Sequence, residues 1–203
     1  MTAGATAVVL GFRPHTYWTA AVAVAGSGLE PQMVERRRFT FATGDERMVY
    51  HQAAEIPPDE ATALVERVRS AVRQNAIAGL RPLLEELGRA GRSVSAAVVP
   101  TGGVRVPERI EDIVRVHARM HAAEGELYRD IVAGACRDLG LVVHRAVERE
   151  LFALAGDRLG TSEAALKTRL QAMGAALGPP WSEDQKLATL AAILHLDAAE
   201  ADA

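Results

Sequence analysis

The stretch VHARMHAAEGELYRD, residues 116–130, holds the densest set of metal-ligating side chains in the sequence. His117, His121 and Glu124 stand at i, i+4 and i+7, which is one face of a helix. Neutral imidazoles and a carboxylate at that spacing suit Zn, Mn or Fe. These three residues are therefore the candidate ligands of a divalent metal, the one cofactor the sequence suggests. The first histidine is not followed by glutamate, so the zinc-peptidase pattern His-Glu-x-x-His is absent. The competing expectation is that the histidines pack at a helix interface without metal.

A second set of polar residues falls at loops and element ends. LGFRPH places Arg13 and His15 at the bend between two apolar runs. PTGGVRVP, residues 100–107, offers Thr101, Gly102 and Arg105 after a third run, with Arg109 close behind. Backbone amides and arginines of this kind can cradle an anion such as a phosphate. No GKS or GKT phosphate loop is present. Glu183 and Asp184 follow Ser182 at the start of the last helical pattern. They are the candidate catalytic acids; the alternative is plain stabilisation of a helix N-terminus under a serine cap. VERRRF is either a nucleic-acid contact or a charged edge that resists strand-to-strand aggregation. Tyr17 and Trp18 either stack a base or join the core.

These groups need elements to position them. TAVVLGF and TYWTAAVAVA read as strands, and QMVERRRFTFA as a third with Arg36 and Arg38 on one face and Glu35, Arg37, Phe39 and Phe41 on the other. MVYHQAAEI continues or augments that strand. PPDEATALVERVRSAVRQ opens a helix with Asp59 as its cap, and Pro82 predicts a kink or a fresh start. VSAAVV, residues 94–99, is a buried strand. Residues 108–139 form one long helical pattern ended by Gly140. LVVH is a strand and RAVERELFALAG a short helix. A helix capped by Thr161 or Ser162 and a last helix capped by Ser182 complete the chain, before a fraying tail, DAAEADA. The order β-β-β-α-β-α-β-α-α predicts an α/β fold. Its five-stranded mixed sheet has three antiparallel strands, then two parallel ones, with helices on both faces.

The 203 residues carry a net charge of −3 and a pI near 6.1, without the basic excess usual in nucleic-acid binders. The length fits one domain spanning residues 1–203. A single cysteine, Cys136, excludes an internal disulfide and reads as a buried thiol, which fits a reducing, cytoplasmic setting. No stretch approaches the ~20 apolar residues of a membrane span.

The element order is similar to the ribonuclease H-like fold, and within it the chain resembles RuvC-type Holliday junction resolvases. VVLGFRPHTYWTAAVAV looks like their first hairpin, usually Leu-Gly-Ile-Asp-Pro-Gly and then a strand; Leu10, Gly11, Phe12, Arg13, Pro14 and His15 take those places. GLVVHRAVERELFALAG resembles their late strand and following helix. SEDQKLATLAAILH resembles their closing helix, usually Asp-x-x-Asp-Ala-Leu-Ala and ending near a histidine. The resemblance implies a nuclease whose two metal ions, about 4 Å apart, are held by acids from the first strand, the first parallel strand and the last helix. Here residues 1–29 and 93–107 contain no Asp or Glu, and Arg13 stands where the first acid belongs. Matching Leu187 and Ala188 to the family's Leu-Ala sets Ser182 and Gln185 at the final acids.

Three functional expectations follow. The first is a non-catalytic RuvC-like domain that binds nucleic acid or a partner, with alanine-rich helices suited to homodimer packing. The second is a diverged metal-dependent nuclease or phosphoryl-transfer enzyme using Asp184 and Glu183, with His117, His121 and Glu124. Distant acids such as Glu35 or Glu55 are further candidates to rebuild its site. The third is an interaction protein without nucleic acid, in keeping with the acidic pI.

Overall fold

The computed structural model describes residues 6–196 and shows the expected mixed sheet. Strand β1 (Thr6–Pro14) lies at its centre, in the order β3-β2-β1-β4-β5. β2 (Trp18–Gly26) pairs antiparallel with β1, and β3 (Pro31–Thr40) antiparallel with β2. β4 (Arg92–Val98) and the short β5 (Val143–His144) run parallel to β1. The tail residues 197–203 lie outside the described residues.

Alternation along β1 sends its side chains into two cores. Val8, Leu10 and Phe12 pack on one face with α2 (Pro58–Arg89) and α4 (His117–Asp138). Val9 packs on the other with α5 (Leu151–Leu159), α6 (Glu163–Leu177) and α7 (Glu183–Ile193). Arg13 shares the parity of Val9 and so faces α7. Among the described residues no helix is long and apolar enough to cross a membrane.

Three boundaries differ from the sequence expectation. MVYHQAAEI does not extend β3. Residues Gly44–Met48 form a 3-10 turn under a Thr43–Glu46 capping box, and Val49–Ala53 form α1. Val49, Tyr50 and Ala53 are the buried positions of α1, a helical spacing hidden in a short apolar run. Helix α2 runs unbroken through Pro82. Buried Val72, Ala76 and Leu80 before the proline, and Leu83 and Leu87 after it, hold one continuous stripe against the core. That burial outweighs the lost backbone hydrogen bond. The pattern 108–139 divides into α3 (Ile110–Val114) and α4, because Val116 is extended at φ −131° and ψ 112°.

Helix α7 lies unusually close to the sheet, and this closeness sets the site geometry. A Cβ on Gly11 would fall 1.9 Å from the Ala188 carbonyl oxygen and 3.0 Å from the Ala192 Cβ. Ala188, Ala191 and Ala192 are wholly buried. Small side chains on both surfaces are what permit the approach. At the far end of α7, His195 stacks on His144 at 4.0 Å. Burial and that neighbour push the His195 imidazole down to about 4, so it is neutral at pH 7.

Arg36 on β3 fastens the chain leading into α7. Its guanidinium donates to the carbonyls of Leu177, Pro179, Gly178 and Pro180 at 2.8–3.2 Å. It thereby satisfies acceptors left open at the C-terminus of α6. Gly11→Ala should force α7 away from β1 and lower stability by about 1–3 kcal/mol. Thermal unfolding followed by circular dichroism measures this, and an unchanged midpoint would contradict the close packing.

Candidate functional site

The C-terminal end of β1 delivers Arg13 to a group of acids drawn from distant parts of the chain. Its Nη1 donates to Asp184 Oδ1, and its Nη2 donates to Glu148 Oε1 at 3.2 Å. His15 Nε2 lies 2.8 Å from the same Asp184 oxygen. Asp184 sits in the first turn of α7, whose start is fixed by the Ser182 cap and its capping box with Gln185. Glu148 follows β5. It is held by the Thr101–Val147 bridge and by its own N–H, which donates to the Thr101 carbonyl at 2.9 Å.

The pairing continues along the edge of the sheet as a chain of alternating charge. Glu148 meets Arg129 at 3.8 Å, and Arg129 meets Glu126 at 3.8 Å. Glu126 accepts from the Gly102 N–H at 2.9 Å and from Arg145 at 3.1 Å, and Arg145 reaches Asp130 at 2.9 Å. Packing at Gly102 is tight, since a Cβ there would lie 3.1 Å from Arg129 Nη1. The inner side chains of this chain are only about one-fifth exposed. Solvent therefore screens them less than it screens ordinary surface pairs.

Arg13 and Asp184 each stabilise the other's ionised form. Burial alone would weaken the Arg13 guanidinium's hold on its proton, but Glu148 and Asp184 outweigh it and raise the pKa above the usual value. Burial alone would raise the Asp184 carboxyl; hydrogen bonds from His15 and Arg13 outweigh it and hold the carboxyl below the ordinary aspartate range.

Arg13, His15, Thr101, Gly102 and Asp184 thus join one hydrogen-bond and ion-pair network, Thr101 and Gly102 through backbone groups. Arg105 is exposed and stands outside the network. Arg109 pairs with Glu111 at 3.4 Å. Glu183 points to solvent and meets Lys186 at 3.7 Å, so it does not join Asp184. Glu35 bonds to Arg37, and Glu55 is exposed; neither reaches the cleft. The acid that sequence reasoning missed is Glu148. Its signal was positional: it follows the parallel strand β5, whose end opens on the same edge as Arg13.

The basic run of β3 is consumed within the chain. Arg36 holds the α6–α7 connection, Arg37 bonds to Glu35 and Glu86, and Arg38 lies 3.8 Å over the Trp18 ring. His15 stacks on Trp18 at 4.1 Å and 8°. Two groups that close to one ring centre cannot share a face, so both faces of Trp18 are covered. Arg47 lies 3.9 Å over Tyr17. Cys136 is buried, and burial pushes its thiol up to about 12, which makes it a poor nucleophile. His117, His121 and Glu124 lie on the α2–α4 side of the sheet, where His51 of α1 joins them.

No family model matches the chain, and no curated protein matches it. Solved structures do resemble it. The RuvC of T. thermophilus in complex with a Holliday junction substrate superposes with a TM-score of 0.52 at 13% identity, covering 96% of this chain and 94% of that one. A second Thermus thermophilus RuvC structure gives 0.49 at 14% identity, covering 96% and 95%. The fold is ribonuclease H-like, of the RuvC kind.

The resemblance drawn from the sequence carries an expectation of two metal ions held by carboxylates, against which the charges at this site can be set. The cation between Asp184 and Glu148 is the Arg13 guanidinium, covalently part of the chain. A divalent ion placed there would meet a fixed positive charge and acids already committed to it. Asp184→Asn should cost about 1.5–3 kcal/mol at neutral pH, as expected for a hydrogen bond to a charged group. The folded carboxyl lies below its ordinary pKa of 3.8, so this contribution is full above that value and fades as pH falls through the folded one. Urea unfolding of both proteins from pH 7 to pH 2 checks it: the gap between them should close in acid.

Proposed function

We propose that the chain is a RuvC-like domain in which metal-dependent cleavage has given way to binding, and that its ligand is nucleic acid. The observation that carries this reading is the Arg13 guanidinium held between Asp184 and Glu148, where the family resemblance expects the first metal-binding acid. Salt bridging fixes the acids in place and leaves no carboxylate pair open to hold metal ions. The fold supports the choice of ligand, since the similar T. thermophilus RuvC structure is a complex with a Holliday junction substrate.

Arg13, Arg129 and Arg145 are engaged by partly buried acids, so this reading gives the phosphate contacts to more exposed arginines of the neighbouring loops. Arg105 is exposed, and the Arg109 and Arg149 side chains are 73% and 69% exposed. Arg149 lies beside Gly103 of the same loop. Arg109 and Arg149 each have a carboxylate neighbour, Glu111 at 3.4 Å and Glu150 at 3.8 Å, but these exposed pairs are screened by solvent and can exchange a carboxylate for a phosphate. The same reading takes residues 1–203 as one domain of a cytoplasmic homodimer. Ala165, Ala172 and Ala176, on one exposed face of α6, provide a flat surface for a second copy.

The test is a gel series with four-way junction and linear DNA in Mg²⁺ or Mn²⁺, following cleavage and retention together. Retention without cleavage is expected, and it should weaken with salt. Replacing Arg105, Arg109 and Arg149 by alanine should flatten the salt dependence by a slope of about 1 per arginine. Metal-dependent cleavage that disappears in Asp184→Asn would overturn the reading in favour of an active nuclease with relocated acids. Absence of both retention and cleavage would overturn nucleic acid as the ligand and point to protein partners.

A further inference from the structure

Away from the cleft, three histidines from two helices converge on a buried carboxylate. We propose that His51, His117 and His121 form a binding site for a zinc-class divalent cation, with Glu124 as the carboxylate that orients it. Helix α4 supplies His117 and His121 one turn apart, and the short helix α1 supplies His51. One candidate ligand atom from each histidine lies within 4.8 Å of the other two. The rings are mutually close, with centroids 4.5 Å, 4.7 Å and 5.2 Å apart.

Glu124 is the second and independent observation. Its side chain is wholly buried. Oε1 accepts from the Tyr50 N–H at 3.2 Å and lies 2.8 Å from His51 Nδ1. Oε2 lies 3.6 Å from His121 Nδ1 and has no hydrogen-bond partner. A buried carboxylate is costly unless positive charge compensates it, and among the described residues no arginine or lysine is paired with this one. A bound cation beside it supplies that charge.

The hydrogen bond between His51 and Glu124 also sets the histidine's chemistry. With Nδ1–H donated to the carboxylate, the lone pair resides on Nε2. His51 Nε2 is itself buried and without a hydrogen-bond partner. A carboxylate behind a histidine, with the distal nitrogen free, is the second layer found around metal-bound histidines; it fixes the tautomer and raises the basicity of the ligand.

Three imidazole nitrogens favour Zn²⁺ and its neighbours Co²⁺, Ni²⁺ and Cu²⁺ over Mg²⁺ and Ca²⁺, which prefer oxygen. Metal–nitrogen bonds of about 2.0–2.1 Å require the nitrogens to draw together by somewhat over 1 Å. His117 and His121 are exposed and His51 half-buried. The two exposed rings can therefore turn inward, and an ion can enter from solvent. A fourth position remains for water or for Glu124 Oε2. Protons compete with the metal for the imidazole lone pairs, so affinity should decline in acid.

Full-length protein, stripped with chelator and dialysed, is titrated with Zn²⁺ by calorimetry and with Co²⁺ by visible absorption. The expected result is one ion per chain, a tetrahedral Co²⁺ spectrum, and a rise in melting temperature with Zn²⁺. His117→Ala and His121→Ala should each weaken binding at least a hundredfold. Both positions are exposed, so circular dichroism should show these variants folded. His51→Ala should do the same. Glu124→Gln should weaken binding 10- to 100-fold while leaving the stoichiometry at one. Zn²⁺ binding that is absent, substoichiometric, or unchanged in the His117 and His121 variants would overturn the site. Unchanged affinity in Glu124→Gln would overturn the role given to the carboxylate.

Discussion

The charge on Arg13 is the constraint around which the cleft is built. Two carboxylates from opposite sides of β1 close on one guanidinium: Asp184 from α7 and Glu148 from the segment after β5. Either acid alone, partly buried, would repel the other and raise its own cost of ionisation. With the arginine between them, both are satisfied and both are spent. A metal ion would satisfy the same acids but leave coordination positions for substrate; a guanidinium on a covalent tether does not. Charge balance is thereby achieved within the chain, which is the basis of the binding function proposed above.

That arrangement depends on backbone geometry far from the charges. Asp184 reaches Arg13 because α7 rests directly on β1 at Gly11, with alanines on the facing side. The start of α7 is fixed by its Ser182 capping box and by Arg36, which gathers the carbonyls of the preceding turn. Glu148 is fixed through the Thr101 carbonyl. From there the alternating pairs run through Arg129, Glu126 and Arg145, linking α4 to the β4 and β5 ends. Pairs in such a chain are coupled, so losing one member should be felt by its neighbours more than isolated surface pairs would suggest.

Much of this was legible in the sequence, and the failures are instructive. The strands announced themselves through β-branched, apolar runs; the Ser182 cap stands where expected, Ser162 rather than Thr161 caps α6, and α2 starts after Pro57, which puts the expected cap Asp59 inside its first turn. The structure brings Arg13, His15 and Asp184 together because the end of β1 and the start of the last helix share one edge in this topology. Glu148 was missed since nothing local marks it; only the position of β5 in the sheet brings it to Arg13. His51 was missed for a different reason. Its segment, MVYHQ, has the composition of a strand, and only burial of Val49, Tyr50 and Ala53 reveals the helical turn that carries it to α4. The VERRRF run could not be resolved from sequence, since apart from Glu35 within the run its partners, the carbonyls of residues 177–180, Glu86 and Trp18, are distant along the chain.

The central claim is that a guanidinium, not a metal ion, fills the space between Asp184 and Glu148. Paramagnetic broadening tests it most directly: ¹⁵N-labelled full-length protein titrated with Mn²⁺, reading the amides of Gly11, Arg13, Thr101, Glu148 and Asp184. The account predicts that these signals stay sharp at one equivalent of Mn²⁺, whatever happens near His51 and His121. Selective, saturable broadening centred on Asp184 and Glu148 would contradict it and show that the acids still hold a metal.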